Sequence, residues 1–368
     1  MSSSRKRGGI RLWLASFVLV LAVALPVWFA VSALGVKFGL WNYQLGFGTL
    51  TREWGANYVF FIFIAGVVLL LLGLMKAPRV RVVILSLLII LIGGLGLGRL
   101  IGAQALIQSL PPIHDVQTDW DDPIMPSEAL LKARGEGSNP IQEDPVIPPF
   151  LAQMEQGFEA ERAAAQESAF SRFMWNMQVA IGLKSDRFFW EGLAGASVAD
   201  EQAAAYPAVD TLYVEQDPAA SFDAVANTLS DMGMEFVTRD EAAGRIEATA
   251  TTQWFGFKDD VMVRVEPAGE GSQIDIRSVS RVGLSDLGAN AARVEAILSQ
   301  LQQVLAVMEE PPAMVEEQPP VAEPEPVVDE MANDDMAETN EDDAVDDDAS
   351  VEDSSNTMQE TEAEPEEE

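Results

Sequence analysis

Three uncharged apolar runs crowd into the first hundred residues, and they constrain the fold more than any other feature. Leu12–Leu34 is 23 residues without a charge, Tyr58–Met75 is 18, and Val82–Gly98 is 17 before Arg99. An α-helix needs roughly 20 apolar residues to cross a hydrocarbon core about 30 Å thick. Helices buried in a globular core are the alternative, but three such runs so close together favour the membrane. The spacing predicts spans at about 12–34, 58–75 and 82–101, within a transmembrane region 1–106.

Basic residues set the expected direction. Arg5, Lys6, Arg7 and Arg11 precede the first span, and the short link to the third carries Lys76, Arg79 and Arg81. The 35–57 loop holds only Lys37, Arg52 and Glu53. Cytoplasmic loops carry the excess of Lys and Arg, so the N-terminus is expected inside and everything after Arg99 outside. A second reading makes the first run a cleaved signal peptide, with Val31-Ser32-Ala33 as the cleavage site. The run is longer than the roughly 7–15 residues usual for such a segment, and the later domain stays outside either way.

Gly94, Gly98 and Gly102, beside Gly93 and Gly96, predict close helix packing in the third span. A phosphate-binding loop is disfavoured, because no strand precedes these glycines. Trp13, Trp28, Trp41, Tyr43, Trp54 and Tyr58 lie near the expected interfaces, as aromatic anchors do.

The net charge of −35 conceals two opposite regions. Residues 1–106 carry ten bases and one acid, whereas residues 309–368 hold 25 of the 58 acids and no base. That tail lacks apolar periodicity and is expected to be disordered. Such acidity argues against nucleic acid as a partner, since a phosphate backbone requires a Lys/Arg surface. With no cysteine, disulfides and thiolate chemistry are excluded. No cofactor is expected.

Residues 107–205 read as a linker with a helical insertion. Pro111–Pro149 is rich in Pro, Asp and Gly, and predicts an extended connection. Leu151, Met154, Phe158, Phe170, Phe173, Met177 and Ile181 predict a helix over 150–183. Its aromatic second half, with Arg172, Lys184 and Arg187, suits either the bilayer surface or a cover over the domain core. Gly192–Ala205 reads as a further linker.

Residues 206–308 have the pattern of an α+β domain. A strand is predicted at 211–214, a helix at 217–232 and strands at 234–238, 245–254, 260–266 and 273–281. Ser285 is expected to cap a final helix striped by Leu287, Val294, Leu301 and Met308. The order β-α-β-β-β-β-α implies a mainly antiparallel sheet with helices on one face. Alternation places Arg264, Asp275, Arg277 and Arg281 on the other face, within reach of Arg245 and Glu247. Ser278 and Ser280 point toward the final helix.

His114-Asp115-Val116-Gln117-Thr118-Asp119, Tyr206-Pro207, the run Gly256–Arg264 and the long run Asp275–Asn290 (DIRSVSRVGLSDLGAN) together resemble the domain-of-unknown-function family 1499. The likeness covers about Pro111–Asp122 and Tyr206–Leu301, and the stretch between is longer than the family pattern leads one to expect. The resemblance implies a bacterial envelope protein, often with spans before the domain; taken with the direction set by the basic residues, the expectation is an inner-membrane protein with a periplasmic domain. It implies no activity.

Two functional expectations follow. One is a non-enzymatic envelope module that binds a partner protein or an anionic lipid through Arg264, Arg277 and Arg281, with Asp260, Asp275 and Asn290 alongside. For these arginines a structural network with Asp259, Asp260, Asp275 and Asp286 is nevertheless the favoured expectation. The other is a metal-dependent enzyme built on His114, Asp115 and Asp119, for which capping and turn chemistry is the alternative use. A hydrolytic triad or zinc motif is absent from the sequence, so an enzyme is the less favoured expectation.

Overall fold

A computed structural model of the chain describes residues 3–75 and 80–309. The basic residues Lys76 and Arg79, and the acidic tail expected from 309 onward except its first residue, lie outside them.

Among the described residues three helices are long and apolar enough to cross a membrane. The first is α1 (Ser3–Lys37), which contains Pro26. A π-helical stretch, Gln44–Gly55, then runs directly into α2 (Ala56–Met75), so the helix that holds the second apolar run begins well before Tyr58. The third is α3 (Val80–Ser109). Ala15, Ala22 and Leu25 of α1 pack with Val59 and Ile62 of α2 and Ile89 of α3.

Glycine sets the closest approach of α2 and α3, but not along the expected row. A Cβ on Gly93 would lie 2.9 Å from the backbone of Phe63, and one on Gly96 3.0 Å from Val59. Gly98 and Gly102 have open space around them. The close approach therefore falls on Gly93 and Gly96 rather than on Gly98 and Gly102, and from α2 Gly66 and Gly73 face Ile89, Ile90, Val82 and Val83.

After α3 the chain forms β1 (Asp115–Gln117), α4 (Glu128–Arg134), α5 (Leu151–Ala165), α6 (Ala169–Ala180) and α7 (Val198–Ala205). The single helix expected over 150–183 is two. Ser168 stops the first and starts the second: its Oγ accepts from Ser171 N, while Ser171 Oγ accepts from Ser168 N.

The remaining elements are β2 (Leu212–Val214), α8 (Pro218–Asp231), β3 (Glu235–Asp240), β4 (Arg245–Thr251), β5 (Lys258–Ala268), β6 (Gly271–Ser280) and α9 (Ala289–Glu309). From β2 onward this is the β-α-β-β-β-β-α order. The sheet runs β1-β6-β5-β4-β3, with β2 also on β6, and every pairing is antiparallel. β1 is thus a strand of the sheet, although the sequence suggested a linker there.

Two apolar layers hold the sheet. On one face Phe222, Val225 and Leu229 of α8 and Val294, Ile297 and Leu301 of α9 pack on Ile246, Val261, Val263, Ile274 and Ile276. The other face is roofed by the chain between β1 and α5, where Ile124 and Leu130 pack on Met262 and Val279. Both faces are therefore covered, and Glu247, Asp260, Asp275 and Arg277 of the second face are interior.

Two boundaries differ from expectation for local reasons. β4 stops at Thr251 rather than Trp254, because Thr252 turns the chain: its N–H bonds Phe257 O, and its Oγ1 accepts from Phe257 N, both at 2.8 Å. The last helix begins at Ala289, where Asp286 accepts from the backbone N–H of Gly288 and Asn290 at 2.8 Å each. Ser285 Oγ instead accepts from Leu287 N, in a turn where Leu287 holds φ 57°.

Candidate functional site

Alternation along β4, β5 and β6 sends Glu247, Asp260, Arg264, Asp275, Arg277 and Arg281 to one face, and the register sets Arg264 opposite Asp275. The roof then decides what these groups can do. Arg277 has no exposed surface. Its Nε and Nη2 donate to the two carboxylate oxygens of Asp115 at 2.9 and 2.6 Å, a bidentate fork. Nη1 donates to Ile124 O and Nη2 to Gln142 O, and the guanidinium lies 5.4 Å from the Trp120 ring centre. A buried ion pair survives only when its remaining donors are also satisfied, and here the roof satisfies them.

Asp260 is equally enclosed. It accepts from Arg281 Nη2 at 2.7 Å, from Arg134 Nη1 at 2.5 Å and from Thr249 Oγ1 at 2.8 Å. Arg134 belongs to α4, so the roof is fastened to the sheet through this carboxylate. Glu247 repeats the device: it accepts from the backbone N–H and the hydroxyl of Ser127, the residue that caps α4.

Asp275 accepts from Thr118 Oγ1, Thr211 Oγ1, Gln273 Nε2 and Arg264 Nη2. Burial works to raise its pKa, but the hydrogen bonds from Thr211, Gln273, Thr118 and Arg264 outweigh it and hold the carboxyl below its ordinary range. Arg264 keeps a 17% exposed side chain, surrounded by Asp119, Asp122, Glu266 and Asp275. The arginine face is thus an internal ion-pair network, the use of Arg264, Arg277 and Arg281 that the sequence favoured over an anion site.

Asn290 lies on the opposite side of β6. Its Oδ1 accepts from Ser278 Oγ at 2.8 Å, and its Nδ2 donates to Ser280 Oγ and His114 O. Arg293 joins this cluster and ion-pairs with Asp259 at 2.7 Å. These bonds supply the partners that the buried serines need, and they tie α9 to β1 and β6.

His114, Asp115 and Asp119 are neighbours in sequence but not in function. His114 Nδ1 faces Leu284 O at 3.3 Å, which assigns the Nδ1–H tautomer, and burial lowers its pKa against the pull of Asp115. Asp115 is engaged by Arg277, while Asp119 accepts from the backbone N–H of Asp121 and Asp122. Among the described residues no group of three or more His, Asp or Glu side chains is placed to hold a metal ion.

A second site was not singled out in the sequence. The β4–β5 loop Thr252–Phe257 is seated on the end of α1. Lys37 Nζ donates to Gln253 O at 2.8 Å, and a Cβ on Gly256 would lie 3.1 Å from Lys37 Cγ. Phe255 and Phe257 stack with centroids 5.0 Å apart, and Phe47 of the π-helical stretch meets both edge-on. Tyr43 meets Phe257 in the same way. The signal was present as the aromatic run Trp254-Phe255-Gly256-Phe257, but Trp254 fitted the strand alternation and hid the loop.

Spans, closed polar network and seated loop define a class: a membrane protein whose α+β domain is clasped to its own anchor. Residues 193–301 match the family described as "Protein of unknown function (DUF1499)". That match begins after β1 and the roof, so Asp115 and Arg134, which complete the network, come from outside it. No curated protein matches the chain.

Proposed function

We propose that this is a non-enzymatic envelope module. Its spans cross the bacterial inner membrane with the N-terminus in the cytoplasm, and its domain sits on the periplasmic surface to engage bilayer lipid. The observation that carries the reading is the aromatic loop Thr252–Phe257 seated beside Lys37. It holds the domain against the membrane at the ends of the first and third spans. Lys37 and Ser109 mark those ends, and the domain follows directly from Ser109. The bias of basic residues toward the opposite ends supports a periplasmic position.

The buried Arg–Asp network supports a structural rather than catalytic use of the most chemically endowed residues. The exposed aromatic surface supports lipid over a polar ligand, since Trp at an interface presents an apolar body and one polar N–H.

Direction can be tested because the chain has no cysteine. Glu136→Cys, in the exposed turn after α4, is expected to react with a membrane-impermeant maleimide on cells with a permeabilised outer membrane. Val80→Cys, at the exposed start of α3, is expected to react only after the inner membrane is opened. The opposite pattern would overturn the orientation.

A further inference from the structure

An apolar cavity of about 600 Å3 lies between α1 and the seated loop. Pro26, Phe29, Ala30 and Ala33 form one wall, and Trp254 and Phe255 form much of the other. This is within the roughly 300–1,000 Å3 of small-molecule sites. Ala30 and Ala33 leave the space that larger side chains would fill.

Depth identifies what can reach it. At about 1.5 Å per residue, Ala33 lies roughly 6 Å and Pro26 roughly 16 Å below Lys37 along the helix. The groove therefore descends from the head-group level into hydrocarbon. Val23, Val27 and Val31 are exposed on the same helix, so the groove is continuous with a surface that meets lipid. The groove's upper end is basic: Lys37 bonds Gln253 of its lining, and exposed Arg52 and Lys258 adjoin the lining residues Thr51 and Phe257 in sequence, against one exposed acid, Glu53. Among the described residues Arg52 and Lys258 have no carboxylate partner. A phosphate at the rim and a hydrocarbon chain below it match this distribution of charge and apolar surface.

We propose that the groove between α1 and the β4–β5 loop holds one acyl chain of a bilayer phospholipid, with its phosphate at the Lys37–Arg52–Lys258 rim. The proposal rests on the lipid-engaging reading above but not on which side of the membrane the domain occupies. Trp254, 57% exposed, would cover the chain, and the domain would thereby sense the packing of the adjacent leaflet.

The test uses the full chain in nanodiscs containing a phospholipid with a diazirine at mid-acyl position. After illumination, adducts are mapped by mass spectrometry. They are expected to concentrate on residues 26–33 and 252–257 over the exposed α2 positions Val68, Leu71 and Leu72. Ala30→Trp, which fills the groove, is expected to lower groove adducts about tenfold while those on α2 persist. The wild-type map stands by itself if that variant folds poorly. Equal density on α2 would mean annular lipid only, and cross-linked dimers through the groove would mean a second copy; either overturns the proposal. Maleimide labelling from the wrong side, with groove adducts intact, would remove the orientation and leave the lipid site standing.

Discussion

At the scale of single residues the interior charges carry the most consequence. Asp115 contributes both oxygens to a guanidinium with no exposed surface. Asp115→Ala leaves Arg277 buried with its fork empty, and breaking such a pair costs about 3–5 kcal/mol. The full chain in detergent should show that loss as a lowered unfolding midpoint. Asp115→Leu with Arg277→Met removes both charges and is expected to recover part of it, because the apolar roof residues Ile124 and Leu130 remain packed. A single variant as stable as the parent would contradict the buried network. Alternation along β5 and β6 was enough to put Arg264, Asp275, Arg277 and Arg281 on one face. What hid their role was the roof, whose residues 118–142 follow neither a helical nor a strand period. A face that reads as open in sequence is closed by a segment that reads as a linker.

At the scale of elements, local signals explain both the successes and the misplaced ends. Three spans and the order of strands are strongly periodic, and periodicity survives in any packing. Boundaries depended on side chains that compete with the pattern: Thr252 ends β4, Asp286 delays α9, and Ser168 with Ser171 divides the predicted insertion helix. The glycines of α3 show how a small-residue row is ambiguous by one position. Sequence spacing favours Gly94–Gly98–Gly102, yet it is Gly93 that meets the Phe63 backbone. Gly93→Leu is therefore expected to separate α2 from α3 and lower the thermal midpoint of the detergent-solubilised chain. Gly98→Leu, with open space around it, should leave that midpoint within about 0.5 kcal/mol of parental stability, the range of substitutions away from packed features. Equal damage from both would mean that the helices pack along the other row.

At the scale of the whole molecule, the question is whether spans and domain move as one. Residues 110–114 are the covalent link between α3 and the sheet. A domain joined by one short link can still turn about it unless a second contact, here one loop, gives it a fixed seat. That seat can be locked. A Cβ on Gly256 would lie 3.4 Å from Lys37 Cβ, close to the roughly 3.5–4.5 Å that a disulfide spans. Gly256 has φ 68°, so a cysteine there carries about 1–3 kcal/mol of backbone strain, which weakens the bond without changing the direction it points. In a chain with no cysteine of its own, Lys37→Cys with Gly256→Cys should form one intramolecular disulfide under mild oxidation in membranes. The measurement is a mobility shift on non-reducing gels, reversed by reductant, with each single variant as control. A domain that rests on its anchor for most of the time will close this bond faster than Lys37→Cys paired with a cysteine at exposed Glu136. If both pairs close at the same rate, the loop is not seated. The lipid groove that it forms with α1 would then be only a passing arrangement.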